Sequence, residues 1–573
     1  MKKLLSLFLA ILMVLSLLSG CMNLLPLLNR LTDAAVTDPT QLYEPVVTNP
    51  TDLPVSEKPV ATTEVEGYEK HLNYTLNQED VDAFYAGLAA LEDALLNGDD
   101  WETAEKLEDD LDEIAFFING QQSVAYILMS VYSNDKTYSD YYTESTEIMA
   151  DAIADYIEME RELYHSDSSL KEQYFADWTE AEIQQMLCYT GEVAELEKRN
   201  AQILVEYRGL DEETMPTEMI PLYRELVLNN NRIAVLNGYE DYYDYAYAVS
   251  YSRDYDPQQV QVMRRYVKDY LIPSFFNIAS ITQDKINKLS KAQIRSLNNL
   301  LFDKPFDEMG VNYVDMYLAS LPDSARDGMQ ALFRENRAVF AKTQEAHNSA
   351  FTTQVNDGLM CYFGPDYQVS MTAVHEMGHF YAINSFLKVN DNMGDISLDL
   401  AEVHSQSNEW LFTGFLKGIL DKPLYDTLVY YKIYDDLAGI IIQMCIDEFE
   451  ERVYNHPDVA SLTEEDFDDI MDDVCKEYGG VNLVQGITDI QWYWRLVALE
   501  SPCYYVSYAV SCVAALDVYF RQAEDYDGTV QIYCDLIDNV TPDGGFLSNL
   551  ERVGLSGPFE KDVYEAIAAL AGY

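Results

Sequence analysis

Positively charged residues are scarce in this chain of 573 residues. It has 37 Lys and Arg against 98 Asp and Glu, and its formal net charge is −61. Such a charge repels nucleic acid and anionic lipid head groups, so neither is expected as a specific partner. The excess of acid is typical of a solvated surface, and it would also concentrate cationic ligands. With 48% hydrophobic residues, the chain is nevertheless globular rather than disordered.

Cysteine is also sparse, and no two cysteines form a C-x-x-C pair. Seven of the eight lie beyond residue 21 and are scattered through the chain. This spacing argues against a structural zinc finger and against a thioredoxin-like site. We therefore predict that most of them are small buried apolar residues and that at least one is a free thiol.

The N-terminus begins with a basic tripeptide and a nearly unbroken apolar run, Leu4–Leu18, which is short for a membrane span. The run ends in Leu-Ser-Gly-Cys at Cys21, which is typical of an export signal and resembles a bacterial lipobox. Residues 1–20 are therefore predicted to be a lipoprotein signal peptide. Acyl chains on Cys21 would anchor the protein at the extracytoplasmic face of the bacterial cell membrane. An ordinary cleaved signal or a signal anchor, with Cys21 incidental, is the alternative.

Residues 21–63 hold six of the 18 prolines among Thr, Asp and Val, and they are predicted to be a disordered Pro/Thr-rich linker. Helical periodicity follows, beginning with Asn77–Asn97, where apolar residues recur at three- and four-residue steps before Gly98. Further helices are predicted at Asp100–Tyr132, Ser139–Tyr164, Thr179–Tyr207, Pro257–Leu271 and Pro423–Tyr454. The best strand candidate is Gly358–Phe363, and Ser370 is a candidate cap for the helix after it.

That helix contains His375-Glu376-Met377-Gly378-His379. Residues four apart share a helix face, so His375 and His379 can grip one metal ion, and zinc suits neutral imidazoles. Glu376 can then act as a general base on a water held at the metal. The chain has only seven His, so a chance H-E-x-x-H is improbable. The motif predicts one Zn²⁺ per chain and hydrolysis of peptide bonds.

A third ligand must come from elsewhere in the sequence. The metzincin continuation needs Gly and His, but this chain has Ala382 and Ser385. Asp399 lies at the spacing of thermolysin-like enzymes, and Glu402 lies slightly further on. Taken from the residues alone, the candidates are Asp391, Asp395, Asp399, Glu402, His404 and Glu409.

The segment that starts at Glu402 reads Glu-Val-His-Ser-Gln-Ser-Asn-Glu-Trp. Together with the H-E-x-x-H helix, it resembles the thimet oligopeptidase and oligoendopeptidase F family. The resemblance implies that Glu402 is the third zinc ligand, and it leaves Glu409 and His404 as residues that support the ligands or pack the helix.

Two further segments are similar to that family. One is Arg232–Tyr239, an Arg-x-x-Ala stretch that ends in Gly-Tyr with one residue fewer than usual. The other is Ser501–Ala509, with a Pro-aromatic-Tyr-x-x-x-Tyr pattern. The resemblance assigns Tyr504 and Tyr508 as donors to the substrate carbonyl as it becomes an oxyanion. Two departures concern substrate binding: no His stands shortly before Pro502, and Ser511 stands where the thimet branch has a further Tyr.

The resemblance implies a mainly α fold: a large helical clamshell with a deep substrate channel and a small β element beside the zinc helix. The peptidase domain is predicted to span residues 64–573, with an N-terminal helical part at about 64–250 and a catalytic part at about 251–573. The channel would admit short peptides, and Gly358–Phe363 would pair with an extended peptide by strand addition.

The predicted function is therefore zinc-dependent hydrolysis of internal bonds in short oligopeptides, by a protein held at the membrane through Cys21. One alternative is a peptide-binding lipoprotein with impaired catalysis, which the missing His before Pro502 keeps open. Another is a carboxypeptidase of the same clan, for which Arg495 is a candidate partner of a terminal carboxylate. No nucleic-acid partner is expected, and the sequence leaves the oligomeric state open.

Overall fold

The computed structural model describes residues 67–176, 178–211, 214–302, 313–388, 396–480, 490–540 and 544–572. The predicted signal peptide, Cys21 and the whole of the linker lie outside the described residues, as do Asp391 and Asp395. The boundaries predicted for these segments stay predictions.

The protein is 75% helical and contains a small three-stranded sheet, which confirms the mainly α fold class. The helices before the sheet are α1 Gln78–Asn97, α2 Trp101–Val131, α3 Lys136–His165, α4 Lys171–Tyr174, α5 Glu180–Cys188, α6 Gly191–Arg208, α7 Met215–Leu236, α8 Tyr242–Tyr245, α9 Pro257–Tyr266, α10 Ile272–Lys288, α11 Lys291–Phe302, α12 Tyr313–Ser320 and α13 Asp323–Arg334. The helices after it are α14 Ser370–Phe386, α15 Leu398–Phe415, α16 Lys422–Tyr454, α17 Glu464–Glu477, α18 Ile490–Val497, α19 Val506–Glu524, α20 Tyr526–Asp538, α21 Phe546–Val553 and α22 Asp562–Leu570.

Capping residues set several helix ends where the sequence indicates them. The Asn77 side chain accepts a hydrogen bond from the backbone at the start of α1, and the Asp80 carboxylate accepts one from the Asn77 backbone N–H. Gly98 ends the helix. The predicted single helix Thr179–Tyr207 is wrong, because Tyr189 leaves helical geometry and α6 starts anew after Thr190. The Thr179 hydroxyl caps α5, whereas Thr190 precedes α6 without a side-chain cap bond.

Two hydrophobic cores account for most of the buried side chains. One lies among α1–α5 and includes Leu91 and Leu111, whereas the larger one joins the sheet to α14, α15, α16 and α19. By length and composition α2 is apolar enough to cross a membrane, but 67% of its apolar window is buried in the protein. Burial of that kind is what a core helix of a folded domain requires.

A carboxylic acid, Glu160 in α3, is buried in the smaller core at 2% exposure. Its Oε1 accepts from the Tyr174 hydroxyl at 2.9 Å, and its Oε2 has no hydrogen-bond partner among the described residues. Burial raises the pKa of Glu160 from 4.5 to about 8, although the Tyr174 hydrogen bond acts in the opposite direction. Glu160 therefore stays protonated in the folded protein at neutral pH.

This shift predicts a loss of stability as pH rises. Below pH 4.5 the carboxyl is neutral in both states; between 4.5 and about 8 only the unfolded chain ionises. Glu160 alone should then lower the free energy of unfolding by roughly 1.4 kcal/mol per pH unit across that window. Glu160→Gln should remove this slope, and Glu147→Gln, exposed on the same helix, should keep it. Urea unfolding at several pH values measures both, and an unchanged slope in Glu160→Gln would contradict the assignment.

The sheet consists of β1 Ala338–Phe340, β2 Ala350–Val355 and β3 Gly358–Phe363 in the order β1-β3-β2. The predicted strand is thus confirmed as β3, which pairs parallel with β1 and antiparallel with β2. Strand addition to β3 is restricted, because β2 pairs with one edge along its whole length and β1 pairs with Cys361–Phe363 on the other. Sequence reasoning missed β1 and β2, and β2 is the strand that reaches the candidate site.

Candidate metal centre and active site

Helix α14 carries the H-E-x-x-H motif through the larger core. His375 and His379 lie on one face with ring centroids 4.9 Å apart, and both are buried. Burial lowers the pKa of His379 to about 4, so its imidazole is neutral, the form that binds metal. The predicted cap is wrong: Ser370 is the first helical residue, and Val369 precedes it without a side-chain cap bond.

Gly378 lets α15 approach α14 closely. A Cβ at this position would lie 2.8 Å from both the His404 carbonyl oxygen and the Ser405 Cα, a distance that real Cβ atoms essentially never show. This approach brings Glu402 to the two histidines, with its Oε2 3.6 Å from the Nε2 of His375 and 3.6 Å from the Nε2 of His379. The ligand atoms of the three side chains all lie within 4.8 Å of one another.

These residues fit a zinc ion. Two imidazole nitrogens and one carboxylate oxygen form a donor set used by catalytic zinc sites, which keep a further position for water or substrate. Donors about 2.0–2.1 Å from one tetrahedral zinc stand about 3.3 Å apart, close to the observed separations. The geometry therefore supports His375, His379 and Glu402 as a group that could bind a metal.

A buried charge network holds His375 in place. The Nδ1 of His375 lies 2.6 Å from Glu409 Oε1, and Lys432 Nζ lies 3.0 Å from Glu409 Oε2. Lys432 also pairs with Asp436, which accepts from Trp410 Nε1 at 2.9 Å. Burial raises the pKa of Glu409, but Lys432 and His375 outweigh this effect and lower the pKa to about 2. A carboxylate behind a ligating histidine fixes its ring orientation, as the sequence predicted for Glu409.

Glu376 is fully buried beside the histidines. The hydroxyl of Thr352 in β2 donates to Glu376 Oε2 at 2.7 Å, so the sheet fixes the orientation of this carboxylate. Nothing in the sequence pointed to Thr352, because strand β2 and helix α14 meet only in the folded chain.

The two predicted tyrosines occupy different places. Tyr504 is fully buried, and its hydroxyl donates to Glu402 Oε1 at 3.2 Å. Tyr508 is partly exposed and lines a cavity together with His375. Their rings lie 5.3 Å apart in an edge-on arrangement. Both therefore flank the candidate metal centre, Tyr504 on the ligand side and Tyr508 on the cavity side, and the oxyanion role predicted for the pair stays a prediction.

The other ligand candidates that the structure describes do not join the group. Asp399 lies nearly one turn before Glu402 on α15, but it faces the buried Arg253, whose Nε is 3.7 Å from Asp399 Oδ2. His404 is buried, and burial lowers its pKa to about 3; neither ring nitrogen has a hydrogen-bond partner among the described residues.

A strained turn positions the tyrosine pair, and sequence reasoning missed the residues that hold it. Cys503 has a φ of 60°, a conformation that costs of the order of 1–3 kcal/mol in a residue with a side chain. Arg253 donates to the Cys503 carbonyl at 2.9 Å, and Glu450 accepts from the Cys503 amide at 2.8 Å. The Tyr251 hydroxyl donates to the Pro502 carbonyl at 2.7 Å. Tyr251, Arg253 and Glu450 are far from this turn in the sequence, so only the folded structure shows that they bond to it.

The two arginines that the sequence analysis named, Arg495 and Arg232, both form ion pairs within the fold. Arg495 is buried, pairs with Asp468 at 2.8 Å and donates to the Pro216 carbonyl at 3.0 Å. It is therefore engaged within the fold, and the idea that it binds a terminal carboxylate is wrong. Arg232 is half-exposed and pairs with Glu192 at 2.7 Å.

No protein-family profile and no curated protein matches this sequence. Solved structures do match its fold. A candidate oligoendopeptidase F from Bacillus anthracis shares 16% identity over 87% of this chain and 96% of that chain, with a TM-score of 0.67. PZ peptidase A, solved with an inhibitor, shares 16% identity over 87% and 98%, also with a TM-score of 0.67.

Oligoendopeptidase F from Enterococcus faecium matches at a TM-score of 0.50, with 13% identity over 86% of this chain and 97% of that chain. At such identities these likenesses establish the fold, and they agree with the resemblance carried by the sequence motifs. The chain has the helical fold of oligoendopeptidase F.

Proposed function

We propose that this protein is a zinc-dependent peptidase that hydrolyses internal bonds of short peptides. The observation that carries the proposal is the convergence of His375, His379 and Glu402, whose ligand atoms all lie within 4.8 Å of one another. Glu376 stands next to His375 in the sequence and is buried in the same region. A protein that only binds peptides has no need of a general base at that position.

A zinc ion bound by these three side chains would polarise the scissile carbonyl and lower the pKa of a water molecule towards neutrality. Glu376 would accept a proton from the attacking water and deliver it to the leaving amine. Thr352 holds the Glu376 carboxylate in orientation through its 2.7 Å hydrogen bond. Tyr508 would donate a hydrogen bond to the carbonyl oxygen as negative charge develops there.

Two further side chains keep the ligands in position. Glu409 contacts the Nδ1 of His375 at 2.6 Å, which fixes the ring so that its Nε2 faces Glu402. Tyr504 donates to Glu402 Oε1 at 3.2 Å, which leaves Oε2 directed at the histidines. Support of this kind from neighbouring side chains raises metal affinity and holds ligand geometry.

The proposed location is the extracytoplasmic face of the bacterial cell membrane. It is supported by the export signal and the lipobox-like sequence that ends at Cys21. The Pro/Thr-rich residues 21–63 would serve as the spacer between the lipid anchor and the helical domain.

Metal removal tests the catalytic proposal. The full chain, purified in detergent, should cleave quenched fluorescent peptides, lose turnover after treatment with a chelator and regain it when about one equivalent of Zn²⁺ is restored. Intrinsic fluorescence before and after chelation would show whether the fold survives, so that loss of activity is not mistaken for unfolding. Turnover that is unchanged in metal-free protein would contradict the proposal.

The masses of the products separate the alternatives. Cleavage at internal bonds supports an oligoendopeptidase, whereas stepwise release of C-terminal residues would make the protein a carboxypeptidase. Tight peptide binding without any turnover in the zinc-loaded chain would instead favour the peptide-binding lipoprotein.

A further inference from the structure

A cavity of about 90 Å³ opens beside the candidate metal centre. His375 and Tyr508 form part of its wall, so the cavity adjoins one candidate metal ligand and the proposed oxyanion donor. The residues that give the cavity its chemical character are Glu409, Lys432, Asp435, Asp436 and Gln443, and we call it the acidic cavity. It contains three carboxyl groups and one ammonium group, so acidic groups outnumber basic ones.

Most of these charges already satisfy one another. Lys432 lies 3.0 Å from Glu409 and also pairs with Asp436. The other oxygen of Glu409 contacts His375, and the other oxygen of Asp436 accepts from Trp410. The single lysine is thus shared between two carboxylates and has no direct contact with the third.

Asp435 is the third carboxyl group of the cavity, and it is not paired with Lys432. It lines the acidic cavity, is partly exposed there, and makes no hydrogen bond or ion pair with any residue in the part of the chain that the structure describes. Burial is the main cause that raises the pKa of Asp435 to about 7. Asp436 and Glu409 raise the pKa further, and Lys432 lowers it. A cation beside Asp435 would stabilise its ionised form and offset the repulsion from Asp436 and Glu409.

A second, uncharged acceptor lines the same cavity. Gln443 is only 9% exposed, and its Nε2 donates to the Tyr493 hydroxyl at 2.9 Å. Its Oε1 is buried and accepts no hydrogen bond from any described residue. A buried acceptor left in this state is costly, so it indicates a donor that arrives from outside the chain.

The uncommitted groups suit an organic cation better than a metal ion. A calcium ion needs about six to eight oxygen ligands, far more than one carboxylate and one amide can supply. A lysine ammonium or an arginine guanidinium needs only a few acceptors, and Tyr505 and Tyr508 provide aromatic faces in the same wall. The net charge of −61 would also draw cationic peptides towards the protein.

We propose that the acidic cavity is a specificity site, which takes the Lys or Arg side chain of a peptide residue close to the scissile bond. Asp435 and the Gln443 carbonyl oxygen receive the cationic head group. The inference rests on the proposed peptidase function and deepens it by assigning a substrate class.

The test uses one quenched peptide whose positions on both sides of the cut carry, in turn, Arg, Lys, norleucine or Glu. At one position the wild-type kcat/KM for Arg or Lys should exceed that for norleucine by about tenfold to a hundredfold, the usual worth of a charge-assisted hydrogen bond. Asp435→Asn should bring this ratio close to one, and Gln443→Leu should reduce it. Because the ratio compares two peptides on one enzyme, a general loss of fold or metal cancels.

Asp469→Asn, exposed on α17, makes the same charge change outside the acidic cavity and should leave the ratio as in the wild type. Equal rates for Arg, Lys and norleucine at every position would overturn the specificity site while leaving the peptidase proposal intact. A basic preference that persists in Asp435→Asn would overturn it as well. If no peptide in the series is cleaved by the zinc-loaded chain, the peptidase proposal itself fails and the specificity site falls with it.

Discussion

Glu376→Gln should lower kcat for peptide hydrolysis by about 10²–10⁴-fold, the usual contribution of a general acid–base group. The carboxamide has the same shape as the carboxylate and can still accept the hydrogen bond that Thr352 donates. It cannot take a proton from water at neutral pH. The three candidate ligands are untouched, so zinc content should remain at about one per chain.

The measurement pairs steady-state kinetics with elemental analysis of the bound metal. Asp366→Asn, exposed just before α14, makes a similar charge change and should retain wild-type kcat. If Glu376→Gln keeps wild-type turnover with its zinc bound, Glu376 is not the proton carrier and another group must take that role.

Phenylalanine substitutions at Tyr508 and Tyr504 should have different effects, although the two tyrosines lie in one short segment. Tyr508→Phe should lower kcat by about 10²–10³-fold with little change in zinc affinity, as expected when one donor to a developing oxyanion is removed. Tyr504→Phe should weaken zinc binding by about 10–100-fold, because Tyr504 donates to Glu402 Oε1 at 3.2 Å and steadies that ligand.

Each variant serves as the control for the other. Zinc affinity is measured by competition with a chromophoric chelator, and kcat is measured at saturating zinc. Excess zinc should restore much of the activity of Tyr504→Phe and none of the loss in Tyr508→Phe. The assignment of Tyr508 fails if its variant is rescued by zinc, or if only KM changes.

Arg253 illustrates why the environment of these tyrosines escaped the sequence analysis. It lies about 250 residues from Cys503 in the chain, yet it donates to the Cys503 carbonyl and approaches Asp399. Hydrogen bonds of Arg253 and Glu450 to the Cys503 backbone help to hold its left-handed conformation. No local sequence pattern predicts such a contact, because Arg253, Asp399 and Glu450 are each an ordinary charged residue in the sequence.

The sequence by itself determined the features that depend on local periodicity. The four-residue step between His375 and His379 puts both on one helix face, and the run Gly358–Phe363 forms a strand, as its composition predicts. Capping residues such as Asn77 and the stop at Gly98 set helix ends for the same reason. The backbone geometry of one helix or strand depends mainly on residues adjacent in the sequence, so the sequence is sufficient to predict it.

The residues alone left Glu402 and Asp399 open as ligands, and the family resemblance favoured Glu402; the tertiary structure brings Glu402 rather than Asp399 to the histidines. Both lie on α15, and the spacing from the histidines did not separate them. The close approach at Gly378 directs Glu402 to the histidines, while Arg253 faces Asp399. The acidic cavity arose in the same way, since Asp435 is left over only because Lys432 is shared between Glu409 and Asp436. Such pairings depend on how helices distant in sequence pack, and helix packing is settled by the whole core rather than by any one segment.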